Sequence, residues 1–102
     1  MDKETIKITK KFASKIRKKF DVKKIVLFGS RASGENFIES DFDFIIVSND
    51  FYGTGFMERM SDVLKFWGEK FDVDALCYTL EEFERKKKFG IVKNALKGGV
   101  AL

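Results

Sequence analysis

Two aspartates one residue apart, Asp41 and Asp43, open an apolar run from Asp41 to Ser48 that reads as a β-strand. Side chains alternate between the faces of a strand, so Asp41, Asp43 and Ile45 share one face while Phe42, Phe44 and Ile46 take the other. Two residues of extended chain set the acids about 6–7 Å apart at the backbone. At that range they repel by roughly 2–3 kcal/mol for an effective dielectric near 20. A divalent cation reverses the sign of the interaction, and Mg²⁺ seeks a few carboxylate oxygens together with phosphate oxygens and water. The sequence contains no His. Histidine acid–base chemistry and His-ligated metals are therefore excluded, and a catalytic metal would be hard and oxygen-bound, Mg²⁺ or Mn²⁺. A bare Asp-x-Asp also suits a turn cap followed by a solvated strand start.

Ten residues upstream, Lys24-Ile25-Val26-Leu27-Phe28 is a short apolar run ending at Gly29-Ser30. Glycine lets backbone approach a ligand closely, a helical turn after it would present N–H groups to a phosphate, and Ser30 adds a hydroxyl donor. An ordinary strand-ending turn with a serine cap uses the same residues, so the two motifs have to be judged together. Arg31, next in sequence, has two readings: contact with a phosphate or a site carboxylate, or a surface ion pair. Asp72 and Asp74 share one face of a further strand, Asp72 to Tyr78, and periodicity does not choose between them as a third acid.

The elements that would hold these residues are legible in the apolar spacing. Ile6, Phe12, Ile16 and Phe20, with Ala13 beside them, predict an amphipathic helix over about 4–19 with its basic face outward. The 24–28 run predicts a buried strand. Residues 31–40, with Gly34 and Asn36, predict a short helical turn and loop. Phe56, Met60, Val63, Leu64 and Trp67 predict a helix from the 49–55 loop to about residue 70, and their spacing makes Met60 and Trp67 core rather than a base-stacking pair. Thr79-x-x-Glu82 is a capping box that starts a helix near Leu80. Ile91, Val92, Ala95 and Leu96 predict a last helix after a break near Gly90, ended by Gly98-Gly99. The Val100-Ala101-Leu102 tail is unassigned.

At 102 residues with 44% hydrophobic residues and twelve Phe, the expectation is one α/β (α+β) domain over 1–102, a small mixed β-sheet covered by helices. No apolar run reaches the ~20 residues of a membrane span, and the N-terminus lacks a signal-peptide core, so a cytoplasmic protein is expected. Cys77, the sole cysteine, lies in an apolar stretch and reads as core. Residues 1–24 hold ten Lys/Arg against three Asp/Glu, so the net charge of +4 belongs to the first helix. Such a face suits RNA or an acidic partner, and equally a solvated surface; Lys86 to Lys88 have no interleaved aromatics and read as solvated.

Taken together, Gly29-Ser30 and Asp41-Phe42-Asp43 within FGSRASGENFIESDFDFIIVS resemble the signature of the DNA polymerase beta-like nucleotidyltransferases. FDVDALCYTLEEF resembles the strand and helix that supply that family's third carboxylate, so the resemblance covers nearly the whole chain. Among its branches, the Gly-Ser-Arg-Ala-x-Gly form is most similar to the minimal nucleotidyltransferases, often paired with a helical HEPN partner protein and in some cases antitoxins. The resemblance implies the nucleotidyltransferase fold. It implies that Gly29 and Ser30, with Arg31 beside them, cradle the terminal phosphates of ATP, and that Asp41, Asp43 and Asp74 hold the metal. Asp74 is favoured over Asp72 because the family pattern sets apolar residues after the acid, here Ala75-Leu76-Cys77. One departure is Ser33, where this branch frequently has Arg.

The activity implied is transfer of a nucleoside monophosphate, AMP from ATP, to a hydroxyl of a separate helical protein within a homo- or hetero-oligomer, with RNA as another acceptor. Two alternatives of other classes are a catalytically inactive module that neutralises its partner by docking, and an RNA-binding module acting through the basic helix.

Overall fold

The structure, a computed structural model, describes residues 1–35, 37 and 39–102. Asn36, expected in the loop before the second strand, lies outside the described residues.

Helix α1 (Lys3–Lys19) starts at Asp2, whose carboxylate accepts from the Thr5 N–H at 2.7 Å, and ends in Arg17, Lys18 and Lys19, which favour the negative end of the helix dipole. Its buried face is Thr5, Ile8, Thr9, Phe12, Ala13 and Ile16. The stripe therefore enters through Ile8 rather than Ile6, which is only half-buried, because two threonines complete a face that hydrophobicity alone does not reveal. Strand β1 (Val22–Phe28) follows, then the single turn α2 (Ser30–Ser33), strand β2 (Phe42–Ser48), a 3₁₀ turn (Asn49–Phe51) and helix α3 (Phe56–Leu64). Strand β3 (Val73–Tyr78), helices α4 (Leu80–Lys86) and α5 (Gly90–Gly98) and the two-residue strand β4 (Val100–Ala101) complete the described chain.

The sheet order is β3-β2-β1-β4. β1 is antiparallel to β2 and β4, while β2 and β3 are parallel and joined by the α3 crossover that a parallel pair requires. Period-2 alternation then builds two cores. On one face Ile25, Leu27, Phe42, Phe44, Ile46, Ala75 and Cys77 pack with Phe12 and Ile16 of α1, Val63 of α3, and Trp67. On the other, Val26, Ile45, Val47 and Tyr78 pack under Phe83 of α4 and Val92 and Ala95 of α5. Asp43, two residues before Ile45, belongs to the α4–α5 face, just where its helix cover gives out.

The end of α3 and the reach of two apolar stripes are corrected, and the tail is assigned. α3 stops at Leu64, not near residue 70: the Phe66 and Trp67 N–H groups donate to Val63 and Leu64 at 3.1 Å, and Gly68 turns the chain with φ 62°. The Trp67 indole N–H then donates to the Phe71 carbonyl at 2.7 Å, locking the reversal that delivers β3. The unassigned tail forms β4, with Leu27 opposite Val100 and Val26 opposite Ala101. Gly99 permits this: a Cβ there would lie 2.6 Å from Val26 Cγ1 and 2.7 Å from the Ala95 carbonyl oxygen. Phe56 and Ile91, expected in the core stripes, are 41% and 70% exposed, since each sits in the first turn of its helix, beyond the sheet's cover.

Candidate functional site

Strand register brings two of the predicted acids side by side. Asp43 is paired with Asp74 across the parallel β2–β3 ladder and with Phe28 across the antiparallel β1–β2 ladder. Gly29, immediately after Phe28, is thereby placed against Asp43. Its φ of 77° is a left-handed value that glycine adopts without strain, and a Cβ on it would sit 2.6 Å from Asp43 Oδ2. The glycine is therefore needed twice, for its backbone angle and for the room its missing side chain leaves to the carboxylate.

Asp43 is half-buried, whereas Asp41 and Asp74 are exposed. Burial pushes the Asp43 carboxyl above its ordinary value, and the negative charges of Asp74 and then Asp41 push it further. Asp43 thus feels both other predicted acids. Asp72 is not among the charges acting on it; its carbonyl instead accepts from the Phe42 N–H at 2.9 Å and starts the β2–β3 pairing. Of the two acids that periodicity leaves open, Asp74 is the one the register sets beside Asp43.

Ser30 begins α2 and is partly exposed, and the Ala32 and Ser33 N–H groups return to the Gly29 carbonyl at 3.1 and 3.2 Å, so the turn is closed on itself. Ser33 is exposed and its hydroxyl donates to the Ser30 carbonyl at 3.1 Å. Arg31, expected toward phosphate or a site carboxylate, goes the other way. It is 1% exposed, with its guanidinium 4.3 Å from the Phe42 ring centre and 4.6 Å from that of Phe71, on the face opposite the acids. The two rings offer a planar cation flat, electron-rich surfaces.

Sequence spacing gave no sign of a cavity of about 320 Å³ beside Gly29, lined by Phe28, Ser33, Ile91, Asn94, Ala95 and Gly98. Its α5 wall comes from residues some sixty positions after the glycine, brought there by the packing of Val92 and Ala95 on the sheet and by the β4 pairing that anchors the end of α5.

The donor set is all oxygen, and it centres on a carboxylate crowded by two others, which suits a hard divalent cation. Among the described residues, no group of three or more His, Cys, Asp or Glu is gathered closely enough to hold an ion as the side chains stand. Fit to Mg²⁺ or Mn²⁺ rests on the adjacency of Asp43 and Asp74, the charge of Asp41 felt at Asp43, and the glycine cradle against it.

The fold is nucleotidyltransferase-like. Residues 9–101 match the family model described as a nucleotidyltransferase domain, and the chain belongs to that family. A crystal structure from Sulfolobus solfataricus, provisionally described as a nucleotidyltransferase, is similar over 96% of this chain and 78% of its own, with 23% identity and a TM-score of 0.68. A toxin–antitoxin structure with AMP-PNP matches 90% of this chain and 69% of its own at 19% identity and a TM-score of 0.60. The BolA domain of SufE1 from Arabidopsis thaliana matches 80% of this chain and 98% of its own at 18% identity and a TM-score of 0.56. Such a spread shows that the sheet-and-helix frame is shared more widely than any one chemistry. No curated protein sequence matches the chain.

Proposed function

We propose that this protein is a Mg²⁺-dependent nucleotidyltransferase that moves AMP from ATP to a hydroxyl group of a helical partner protein, as one half of a toxin–antitoxin pair. The observation that carries the reading is the register that pairs Asp43 with Asp74 while Gly29 packs on the Asp43 carboxylate. The likeness to a toxin–antitoxin structure with AMP-PNP, an adenine nucleotide, supports the choice of nucleotide and of a protein partner.

In this reading Asp41, Asp43 and Asp74 hold the metal, and Gly29 and Ser30 admit the terminal phosphates. When bound, the metal supplies neutralisation of phosphate charge and a lowered pKa for the attacking hydroxyl. The hydroxyl oxygen bonds to the α-phosphorus, the α–β phosphoanhydride breaks and pyrophosphate leaves. The protein's part is alignment and charge placement, with no covalent intermediate. Ser33 supplies no charge to the phosphates. Among the described residues no helix is long and apolar enough to cross a membrane, in keeping with a cytoplasmic site of action.

Incubation with labelled ATP, Mg²⁺ and the candidate partner tests this: label should pass to the partner and vanish with Asp43→Ala. Equal labelling by that variant, or none by the native chain, removes the proposal. A second reading, a docking module without turnover, is favoured by Ser33 and by the loose set of acids. It expects unchanged partner affinity in Asp41→Asn and Asp43→Asn and no affinity for Mg²⁺-ATP by calorimetry.

A further inference from the structure

Arg31 is the least expected residue of the molecule: the side chain next to the glycine-serine turn runs through to the back of the sheet and is buried there. Three of its contacts reach segments that lead into predicted ligands. Its Nε donates to the Ser40 carbonyl at 3.1 Å, one residue before Asp41. One flat face lies on Phe42, between Asp41 and Asp43, and Phe71, three residues before Asp74, is also in stacking range. Nη1 donates to the Thr5 hydroxyl at 3.0 Å, tying the group to α1. The Phe42 N–H, donating to the Asp72 carbonyl, joins the two aromatic segments directly. The backbone of Arg31 is itself part of α2, the turn that Gly29 precedes and Ser30 begins.

We infer that Arg31 is a positioning residue that sets the Gly29-Ser30 turn and the starts of β2 and β3 in one fixed relation, so that Asp41, Asp43 and Asp74 converge when a divalent cation arrives. The inference rests on the metal-site reading above. Arginine suits the task because its rigid planar fork spreads several donors in fixed directions and stacks on aromatic rings, whereas a lysine ammonium is a compact point charge on a flexible stem. Filling a core with a charge is also a poor route to stability alone, since apolar replacements of buried ionic groups are often neutral or better. Rigid placement matters here because the three acids repel one another, and an unbraced strand start would relieve that repulsion by spreading.

Mn²⁺ binding, followed by the loss of the free-ion paramagnetic resonance signal, tests the inference without any turnover. The variants are Arg31→Met, which keeps bulk but loses charge and donors, and Arg31→Lys, which keeps the charge and N–H donors but loses the planar fork. Val63→Ala, in the core of α3 and outside the predicted site, controls for general loosening. Expected is at least a tenfold weaker Mn²⁺ affinity for Arg31→Met, an intermediate loss for Arg31→Lys, and native affinity for Val63→Ala, even where thermal melting shows Val63→Ala to be the less stable protein. Should Arg31→Met fail to fold, Arg31→Lys and Phe71→Leu carry the same comparison. Affinity within twofold of native in the folded Arg31 variants, with binding abolished by Asp43→Asn, overturns the inference and leaves the metal site standing. Absence of Mn²⁺ binding by the native protein overturns both.

Discussion

At Gly29 the missing methyl group leaves the Asp43 carboxylate the room it occupies. Gly29→Ala would put its Cβ 2.6 Å from Asp43 Oδ2 and hold alanine at φ 77°. The backbone strain alone costs about 1 kcal/mol or more. Expected are a lowered melting temperature and weakened Mn²⁺ binding together, whereas Gly34→Ala, also at positive φ but with open space around it, lowers only the former. Cys77 shows the opposite situation, a reactive group kept inert. Burial pushes its thiol up to about 12, although Arg59 acts to lower it, and it is fully enclosed beneath the sheet. Iodoacetamide at about pH 8 should leave the native protein unmodified and label it on unfolding, since the thiolate is the reacting species. Rapid labelling of the native state would contradict the packing.

Among the elements, α4 carries the clearest local code. Thr79 and Glu82 form a reciprocal capping box, with the Thr79 N–H donating to Glu82 Oε1 at 2.8 Å and the Glu82 N–H to Thr79 Oγ1 at 3.3 Å. The same carboxylate accepts from Arg59 of α3 at 2.6 and 3.3 Å, so the cap doubles as a brace between two helices. The Arg59 hydrogen bond, helped by the Thr79 backbone and the Arg59 charge, holds Glu82 below its ordinary value of 4.5 despite some opposing burial. For an acid depressed in the folded state, stability is present above the unfolded pKa and lost as pH falls through the folded one. Urea unfolding should therefore show a contribution that is intact at neutral pH and fades below about pH 4.5, and Glu82→Gln should flatten that acid limb. Thr79→Ala, losing the cap, should cost about 1 kcal/mol at neutral pH. An unchanged acid limb in Glu82→Gln would assign the acid sensitivity elsewhere.

Elements with such local codes are the ones the sequence discloses: the α4 cap, the aspartate pair, the apolar period of α1. What it conceals is set by distant partners. The end of α3 depends on Trp67 finding the Phe71 carbonyl, β4 is too short to show alternation and exists only because β1 has an open edge, and Arg31 is polar by type but buried by two phenylalanines far from it in sequence. The candidate site follows the same division: Gly29, Ser30, Asp41 and Asp43 are read from spacing, while the adjacency of Asp74 to Asp43 is visible only in the β2–β3 register.

For the molecule as a whole, the site and the fold pull in opposite directions. Asp43 lies at the meeting of three strand ends, partly buried, beside two other acids, and its raised pKa means that ionising it costs the folded state more than the unfolded one. Each strand start is nevertheless fixed: β2 by the Arg31 stack, β3 by the Phe42 to Asp72 hydrogen bond, and the end of β1 by its ladder to β2 and by β4. The frame thus holds a charge arrangement that it would relax if it could, and a cation that binds only the folded state should repay the strain by mass action. Asp43→Asn should consequently raise the melting temperature in chelator, because it removes an unfavourable buried charge without changing shape. The same variant should lose most of the rise that millimolar Mg²⁺ gives the native protein, so that the two melting curves cross in order as the metal is added. If Asp43→Asn instead melts lower in chelator, the carboxylate is stabilising in the metal-free fold, and its half-buried place among the acids must be a structural one.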